Sequence, residues 1–456
     1  MADLMEKLVS LCKRKGFVFQ SSEIYGGLNG CWDYGPLGVE LLRNVKDSWW
    51  KAMTYREDVE GLDASILMHP KVWEASGHVA GFSDPMVEDK KTNERFRLDN
   101  LLEENGVDVT GMGMDAMIAK ALEIDLKSPK GNELSEARQF NLMFKTFVGP
   151  LEDESARVYL RPETAQGIFV NYLNVQSAMR QKLPFGIAQI GKAFRNEITT
   201  KNFLFRTREF EQMEMQYFVD PGTQDEHFEY WREQRWNWFK NIGLPESKLS
   251  WHEHQGDELA HYASAAFDIQ YEFPFGPGEI EGIHNRSNFD LMQHEKFSGK
   301  KLQYFDEQSR EKFVPSVIET SIGASRTTMA CLVNAYHEEE VKGDTRVVMR
   351  FHPRMAPIKA AILPLVKREG MPEIAHKIAE GLRQHFRVAY DESGAIGRRY
   401  RRMDEVGTPY CVTVDSETLE NETVTVRERD TMEQQRVPIS ELRAHLENHM
   451  GAWQAV

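Results

Sequence analysis

The chain has 456 residues, of which 41% are hydrophobic and 28% are charged, and its formal net charge is −15. This balance is typical of a folded protein of about two or three domains, and it excludes a disordered chain. The negative charge argues against nonspecific coating of nucleic acid, although it leaves room for an RNA partner on a local basic patch.

Membrane and metal-bound classes are also disfavoured. The sequence has no run of about eighteen apolar residues, so we expect no membrane partner and no membrane-spanning segment. The four cysteines lie far apart without a CxxC pair, which indicates a reducing cytoplasm and argues against structural zinc. His252, His254 and His261 lack the spacing of a metalloprotease site, so we expect them to be structural.

The first part of the chain predicts a core that is interrupted once. Residues 38–56 carry apolar side chains at helical spacing, and a short β-rich stretch follows and stops at Pro70. Residues 86–140 are polar and weakly periodic, so we expect a partly helical, mobile insertion. The core resumes near Gln139, and a later aromatic helix is expected to end at Gly243.

Residues 194–218, FRNEITTKNFLFRTREFEQMEMQYF, predict a β hairpin joined by the short connection ITTKN. Alternation would place Arg206, Arg208, Phe210, Gln212 and Glu214 on one face of the return strand. A ladder of surface salt bridges is one explanation, but each exposed pair contributes only about 0–1 kcal/mol. An aromatic ring among charges suits a planar base with phosphates alongside, which favours a ligand site.

A second charged segment is FVPSVIETSIGASRTTMACLVNAY. It predicts a strand that presents Glu319 and Ser321 on one face, followed by a helix that opens near Arg326. A cation at a helix start opposes the helix dipole, so Arg326 should have an anionic partner. A glycine-initiated packing turn is the open alternative.

Two further segments carry charges beside strands. YLRPETAQG places Glu163 on a turn, and GEIEGIHNRSNFDL contributes Glu279, Glu281 and Arg286. Because unpaired buried charge costs several kcal/mol, repeated carboxylate–arginine clusters in one core favour a shared ligand site over independent salt bridges.

After residues 349–357, apolar strands alternate with helices, which predicts a small α/β domain with a mixed sheet. This region contains GRRYRR, whose arginines are Arg398, Arg399, Arg401 and Arg402. Such a run is more often a solvated face than an RNA site, and contact with RNA and a role in fixing the domain interface both stay open.

In order along the chain, these strings resemble the class II aminoacyl-tRNA synthetases. FRNE followed by RTREF resembles their motif 2, GASR resembles motif 3, and the segment ending at Pro70 resembles motif 1. WDYGPLG, VWEASGH, YLRPETAQGIF, EGIHNR and GRRYRRMDEVGTP resemble the glycyl-tRNA synthetase family of the dimeric, single-polypeptide type. The similarity covers nearly the whole chain and is least informative over residues 100–138.

The resemblance implies an α+β catalytic domain over residues 1–350, built on an antiparallel sheet flanked by helices and interrupted at about 86–140. It also implies a small α/β mixed-sheet anticodon-binding domain over residues 357–456. The implied activity is ATP-dependent formation of glycyl-adenylate and transfer of glycine to the 3′ end of tRNA(Gly) by a cytoplasmic homodimer, with Mg²⁺ accompanying ATP.

Two alternatives from other classes remain. A non-catalytic accessory protein with this fold would have lost arginines in motifs 2 and 3, whereas Arg195, Arg206 and Arg326 are all present. A paralogue that loads a carrier other than tRNA would not require the anticodon-type domain.

For ATP, the resemblance implies that Arg195 bridges the α-phosphate and the glycine carboxylate. Arg206 and Arg326 would hold the other phosphates, Phe210 and Arg326 would sandwich adenine, and Glu197 would contact its amino group. Arg195 and Arg326 are the expected catalytic residues. The remaining ATP-binding residues would be Asn196, Phe205, Thr207, Arg208, Glu209, Gly323, Ala324 and Ser325, with Glu279 and Ile280 beside ATP and Mg²⁺.

For glycine, the resemblance implies that Glu163, Glu214, Glu319 and Ser321 surround the ammonium group. Arg97 and Arg286 would lie near the carboxylate. Because glycine has no side chain, selection would come from a pocket too small for a methyl group. The remaining glycine-binding residues would be Phe210, Glu211, Gln212, Met213 and Gly323.

Two positions depart from the family pattern. Thr320 stands where proline is usual, which predicts a looser turn, and Asn288 stands where an acid is common. Glu319 and Ser321 nevertheless keep their spacing, so neither departure removes an expected catalytic residue.

Overall fold

The computed structural model describes residues 2–109, 111–256, 259 and 263–452. The predicted helix over residues 38–56 is confirmed as Gly38–Thr54, and its first residue must be glycine because a Cβ there would lie 1.8 Å from the carbonyl oxygen of Phe17. The first elements are α1 (Ala2–Lys15), β1 (Val18–Gln20), β2 (Trp32–Tyr34), α2 (Gly38–Thr54), β3 (Val59–Gly61), α3 (Lys71–Ala75) and α4 (His78–Gly81).

The insertion has a small core of its own. Its helices confirm the partly helical prediction, and it also contains a three-stranded sheet that the sequence did not reveal. Val87, Leu98, Leu101 and Leu102 pack together beneath that sheet. Its elements are β4 (Ser83–Glu88), β5 (Arg95–Arg97), α5 (Leu98–Glu104), α6 (Met114–Glu123) and β6 (Arg138–Asn141).

A seven-stranded sheet in the order β11-β12-β13-β16-β10-β9-β3 forms the centre of the next region. Every pair is antiparallel except β3 with β9, which confirms the antiparallel prediction. The elements are β7 (Lys145–Phe147), β8 (Arg157–Tyr159), α7 (Ala165–Met179), β9 (Phe185–Phe194), β10 (Glu209–Val219), α8 (Gln224–Asn241), β11 (Leu249–Glu253), β12 (Ala265–Phe273), β13 (Gly276–Ser287), α9 (Phe289–Ser298), β14 (Tyr304–Phe305), β15 (Lys312–Phe313), β16 (Ser316–Gly323), α10 (Ala324–Ala335), β17 (Tyr336–Val341) and β18 (Asp344–Met349).

The two faces of this sheet differ in chemistry. One face packs on α2, α8 and α10 and contributes Met213, Met215 and Ile322 to the main apolar core. Because side chains alternate along a strand, the neighbouring positions of β10 and β16 point to the opposite, polar face. The site described below lies on that polar face.

The predicted hairpin is correct for β9 and β10, but its connection is longer than ITTKN. β9 ends at Phe194 and β10 begins at Glu209, so Arg206 and Arg208 lie in the connection and not on the strand face. The chain turns at Asn202 and Phe203, which adopt positive φ angles of 61° and 58°. The amide of Arg208 then donates to the carbonyl of Gly30, a contact from outside the hairpin.

The C-terminal region contains a five-stranded mixed sheet in the order β20-β19-β21-β22-β23, as predicted. β19 is parallel to β20 and β21, and the remaining pairs are antiparallel. The elements are β19 (Ala360–Pro364), α11 (Met371–Arg383), β20 (Val388–Tyr390), α12 (Ile396–Val406), β21 (Tyr410–Val414), α13 (Ser416–Asn421), β22 (Thr423–Glu428), β23 (Gln434–Pro438) and α14 (Leu442–Ala452).

Helix α12 carries the GRRYRR segment, and its arginines have different surroundings. Arg399 is buried and donates to the carbonyl oxygens of Pro364 and Asp391, at 2.6 and 3.2 Å. Arg402 bonds the Asp391 carboxylate, whereas Arg398 is exposed. Two of the four arginines therefore fix loops of their own domain. None of the helices in the described ranges is both long and apolar enough to cross a bilayer.

Candidate active site

A polar cleft opens on the polar face of the seven-stranded sheet. Strand register produces it, because Glu214 lies opposite Ser321 and Ser321 lies opposite Gly282 across three adjacent strands. The cleft is lined by Glu163, Arg195, Glu197, Leu204, Phe205, Arg206, Thr207, Phe210, Gln212, Glu214, Glu279, Gly282, His284, Arg286, Glu319, Ser321, Gly323, Ser325 and Arg326.

Several residues of the predicted site lie outside the lining of this cleft. Met213, Ile280 and Ala324 are buried in the apolar core, and Glu211 pairs with Lys46 of α2 at 2.9 Å. Strand alternation accounts for Glu211 and Met213, which point away from the face that carries Gln212 and Glu214. The others outside the lining are Arg97, Asn196, Arg208 and Glu209.

Those four residues lie around the motif 2 connection. Arg208 donates to the Glu197 carbonyl, the Asn196 amide donates to the Leu142 carbonyl, and Glu209 pairs with Lys192 at 2.8 Å. Arg97 pairs with Asp84 at 2.7 Å. It also lies close enough to Arg206 to contribute to lowering the pKa of Arg206.

The prediction missed three lining residues: Leu204, Gly282 and His284. Gly282 and His284 share a strand face with Arg286 by simple alternation, so the segment EGIHNR contained the signal that would have found them. Leu204 lies in the connection, whose path the sequence did not reveal. Of the three histidines expected to be structural, His261 lies outside the described residues.

One end of the cleft holds three carboxylates, Glu163, Glu214 and Glu319, which we call the acidic pocket. Glu214 is 2% exposed, and the donors that bond it among the described residues are neutral. The Ser321 hydroxyl donates to its Oε1 at 2.7 Å, and the Thr164 amide donates to Oε2 at 2.9 Å. The Thr164 hydroxyl contacts the same oxygen.

Glu319, by contrast, is held by positive and strongly polar groups. Arg286 Nη1 lies 3.1 and 2.9 Å from its two oxygens, and His284 Nδ1 lies 2.7 Å from Oε1. The Gln216 amide donates to Oε2 at 2.6 Å. Arg286 also makes two bonds to Asp290, so its guanidinium is fixed from both sides.

Glu163 completes the pocket from the turn before α7. His78 Nε2 lies 3.4 Å from its Oε2, and Gln166 donates to Oε1 at 3.0 Å. Gln166 also bonds Asp290, which links Glu163 to the Arg286 network on the far side.

These partners give the three carboxylates different acidities. Burial, and then repulsion by Glu319 and Glu163, raises the pKa of Glu214 to about 7. Burial acts in the same direction on Glu319, but Arg286 and His284 outweigh it and lower the pKa. His78 and Arg286 likewise lower the pKa of Glu163 against the effect of burial. Among the described residues, Glu214 is therefore the carboxylate of the acidic pocket that has no cation at hydrogen-bonding distance.

The other end of the cleft holds three arginines, Arg195, Arg206 and Arg326, which we call the cationic cradle. Arg195 donates to the Pro162 carbonyl at 3.1 Å, and its guanidinium lies 5.3 Å from the Phe210 ring centre. Arg206 Nη1 is buried without a hydrogen-bond partner among the described residues, and burial lowers the Arg206 pKa.

Arg326 lies in the first turn of helix α10 and has the anionic partner that its position required. It bonds Glu279 Oε2 at 2.9 Å and lies 4.4 Å from the Phe205 ring centre. Phe205 and Phe210 therefore present aromatic surface beside guanidinium groups in the same cleft. Such a combination suits a planar base attached to phosphates.

The arrangement can hold a small ammonium ion at one end and a polyphosphate at the other. Arg195 lines the same cleft as the acidic pocket and the other two arginines. A carboxylate and a phosphate that bind in this cleft could therefore meet beside Arg195. Carboxylates that lack a cation favour binding of a cation, and buried guanidinium groups favour phosphate oxygens.

Comparison with known families agrees with this chemistry. A model described as "tRNA synthetase class II core domain (G, H, P, S and T)" matches residues 144–336, and one described as "Anticodon binding domain" matches residues 359–449.

Curated relatives match almost the entire chain. Glycine–tRNA ligase of Treponema denticola is 56% identical over 453 residues, which cover 98% of this chain and 97% of that protein. The enzyme of the same name from Chlorobaculum tepidum is 53% identical over 461 residues, covering 96% and 98%. That from Geobacillus kaustophilus is 51% identical over 457 residues, covering 98% and 99%.

Proposed function

The chain belongs to the glycine–tRNA ligase family of class II tRNA synthetases, and we propose that it attaches glycine to tRNA(Gly) in two steps. In the first, a glycine carboxylate oxygen attacks the α-phosphorus of ATP, forming glycyl-adenylate and releasing pyrophosphate. In the second, a hydroxyl at the 3′ end of tRNA attacks the glycyl carbonyl and AMP leaves.

The observation that carries this proposal is the convergence of Glu163, Glu214 and Glu319 on one end of a cleft whose other end is arginine-rich. Glycine would place its ammonium among these acids, with Glu214 as its main partner. The acids and Ser321 would occupy the volume that a methyl group needs, so a larger amino acid would meet a steric clash.

In the cationic cradle, Arg195 would contact both the α-phosphate and the glycine carboxylate as the new bond forms. Arg206 and Arg326 would bind the outer phosphates, and the rings of Phe205 and Phe210 would flank adenine. Glu197 would accept from the adenine amino group, since its Oε2 is buried without a partner among the described residues. Catalysis would consist of positioning and charge stabilisation, without a covalent enzyme intermediate.

Mg²⁺ fits this site as a companion of ATP. Glu279 lines the cleft next to Arg326 and offers a carboxylate, and Mg²⁺ usually takes one or two carboxylates together with phosphate oxygens and water. Glu279 would hold the ion, whose chemistry is to neutralise phosphate charge.

We also propose that residues 1–350 form the catalytic domain, with the insertion at about 86–140, and residues 357–456 the anticodon-binding domain. The active form would be a cytoplasmic homodimer. Support for the dimer comes from the motif 1 resemblance, from β3 at the edge of the central sheet and from Tyr55, which is 76% exposed beside it. Sedimentation velocity showing an active monomer would refute the dimer.

Amino-acid-dependent exchange of pyrophosphate into ATP tests the proposed function. We expect exchange with glycine and none with alanine or serine, followed by charging of tRNA(Gly). Exchange with all three amino acids would reject selection by exclusion, and absence of exchange with glycine would reject the activity itself.

A further inference from the structure

His78 contacts Glu163 of the acidic pocket from a part of the chain that is distant in sequence. It opens α4, the short helix between α3 and the insertion. Ser76 Oγ lies 2.8 Å from its Nδ1, and the Trp73 ring packs edge-on at 5.6 Å between centres. Asn141 donates to the carbonyls of His78 and Val79, both at 3.1 Å, so backbone and ring are fixed together.

The fixed ring points its other nitrogen at the active site. His78 Nε2 lies 3.4 Å from Glu163 Oε2, and the two side chains are 14% and 15% exposed. Because this contact is shielded from water, its electrostatic interaction energy is larger than that of a surface ion pair. Gln166, which donates to the other Glu163 oxygen, is neutral.

The three acids thus divide by their partners. Glu319 has Arg286 at hydrogen-bonding distance and Glu163 has His78, whereas the donors to Glu214 within the described part of the chain are hydroxyl and amide groups. An ammonium group binds most favourably to the carboxylate that has no cation at hydrogen-bonding distance. Because His78 is the partner of Glu163, it determines which carboxylate is left to bind the ammonium group of the substrate.

We propose that His78 is a positioning residue for the amino acid: it fixes Glu163 and balances its charge, which directs the glycine ammonium to Glu214. This inference rests on the proposed function, and it assigns a role to the VWEASGH segment that the cleft lining alone does not show. His78 itself would not touch the reacting atoms.

Loss of His78 should act on glycine far more than on ATP. Glu163 would then be a buried carboxylate with one neutral donor, and it would compete with Glu214 for the ammonium or take up a proton. The cationic cradle would keep its contacts, provided that α4 stays in place. The ring of Phe82, just after α4, lies 5.4 Å from the Arg195 guanidinium. A displacement of α4 would therefore disturb Arg195 and ATP binding as well.

The experiment measures glycine-dependent pyrophosphate exchange in the full-length protein for His78→Gln, His78→Ala and the control His69→Gln. His69 is an exposed histidine shortly before α3. We expect KM for glycine to rise about tenfold in both His78 variants, with KM for ATP within about twofold of wild type. Free imidazole should restore much of the glycine affinity of His78→Ala, and His69→Gln should behave as wild type.

Three results would overturn the inference. One is an unchanged KM for glycine in His78→Ala, and another is an equal rise in both KM values, which would indicate displacement of α4. The third applies if His78→Ala fails to fold, in which case a normal KM for glycine in His78→Gln would reject the role. A wild-type protein without glycine-dependent exchange would instead reject the proposed function.

Discussion

The cleft and the junction between the two large sheets both bury arginines against acids, but they do so differently. At the junction, Arg346 of β18 donates to Asp404 of α12 at 2.8 Å, and Arg427 bonds the same carboxylate at 3.0 Å. Arg429 makes two 2.7 Å bonds to Asp430 and donates to the Phe351 carbonyl. We call the five charged residues of this group, Arg346, Asp404, Arg427, Arg429 and Asp430, the seam.

The difference lies in how completely the charges are matched. In the seam, each of the two carboxylates has a guanidinium partner at hydrogen-bonding distance. In the cleft, Glu214 lacks such a partner and Arg206 Nη1 has none among the described residues. A buried charge that the protein leaves unmatched costs stability, which a ligand of opposite sign can restore. Matching therefore separates structural ion pairs from binding sites better than burial does.

The strongest test of this comparison removes the central acid of the seam. Asp404→Ala would leave Arg346 and Arg427 buried without their shared carboxylate, so we expect the free energy of unfolding to fall by about 3–5 kcal/mol. Urea denaturation followed by circular dichroism measures it. Glycine-dependent exchange per folded molecule should persist at low temperature, and a loss confined to activity would contradict the structural role.

Arg195→Ala should show the opposite pattern in the cleft. We expect exchange to fall about 100- to 1,000-fold, the usual effect of removing one preorganised charge donor, while the melting temperature stays near that of wild type. Steady-state exchange and thermal melting of the same preparation check this. Near-normal turnover would refute the role of Arg195. A large fall in melting temperature would show that Arg195 is a structural arginine, like those of the seam.

Glu214 supplies a prediction on pH. Its native pKa of about 7 exceeds the value of about 4.3 expected in the unfolded chain, so the native state binds more protons between those pH values. Its contribution to stability should fall as pH rises through that window. Glu214→Gln removes the effect, and without glycine we expect the variant to be more stable than wild type by roughly 1–3 kcal/mol at pH 8.

Glu319→Gln is the matched comparison, because Arg286 lowers the Glu319 pKa. Its contribution to stability is present at neutral pH and is lost as pH falls through the native pKa, so this variant should be less stable than wild type at pH 8. Denaturation curves at pH 5.5 and pH 8 separate the two signs. If both variants are destabilised at pH 8, the charge of Glu214 is balanced by a cation, contrary to this comparison.

How much of this the sequence predicts depends on the range of the interactions. Alternation along β10 and β16 correctly placed Gln212, Glu214 and Ser321 on one face, because a strand repeats every two residues. The path of residues 195–208 was missed, since contacts with Asn29 and Gly30, far away in the sequence, help to determine it. The role of His78 was missed for the same reason. For Arg399 the sequence left open whether it contacts RNA or fixes the domain, because its partners, carbonyls of distant loops, leave no pattern in composition.

The smallest expected effect comes from an exposed ion pair across the same junction as the seam. Arg387 lies 2.7 Å from Glu40 of α2, but its side chain is 42% exposed and that of Glu40 is 30% exposed. Water screens both groups, so Arg387→Ala should change the free energy of unfolding by less than about 1 kcal/mol, and less still in high salt. A loss as large as that of Asp404→Ala would show that location at the junction, and not the matching of buried charge, sets the energy. The comparison on which the cleft and the seam were separated would then fail.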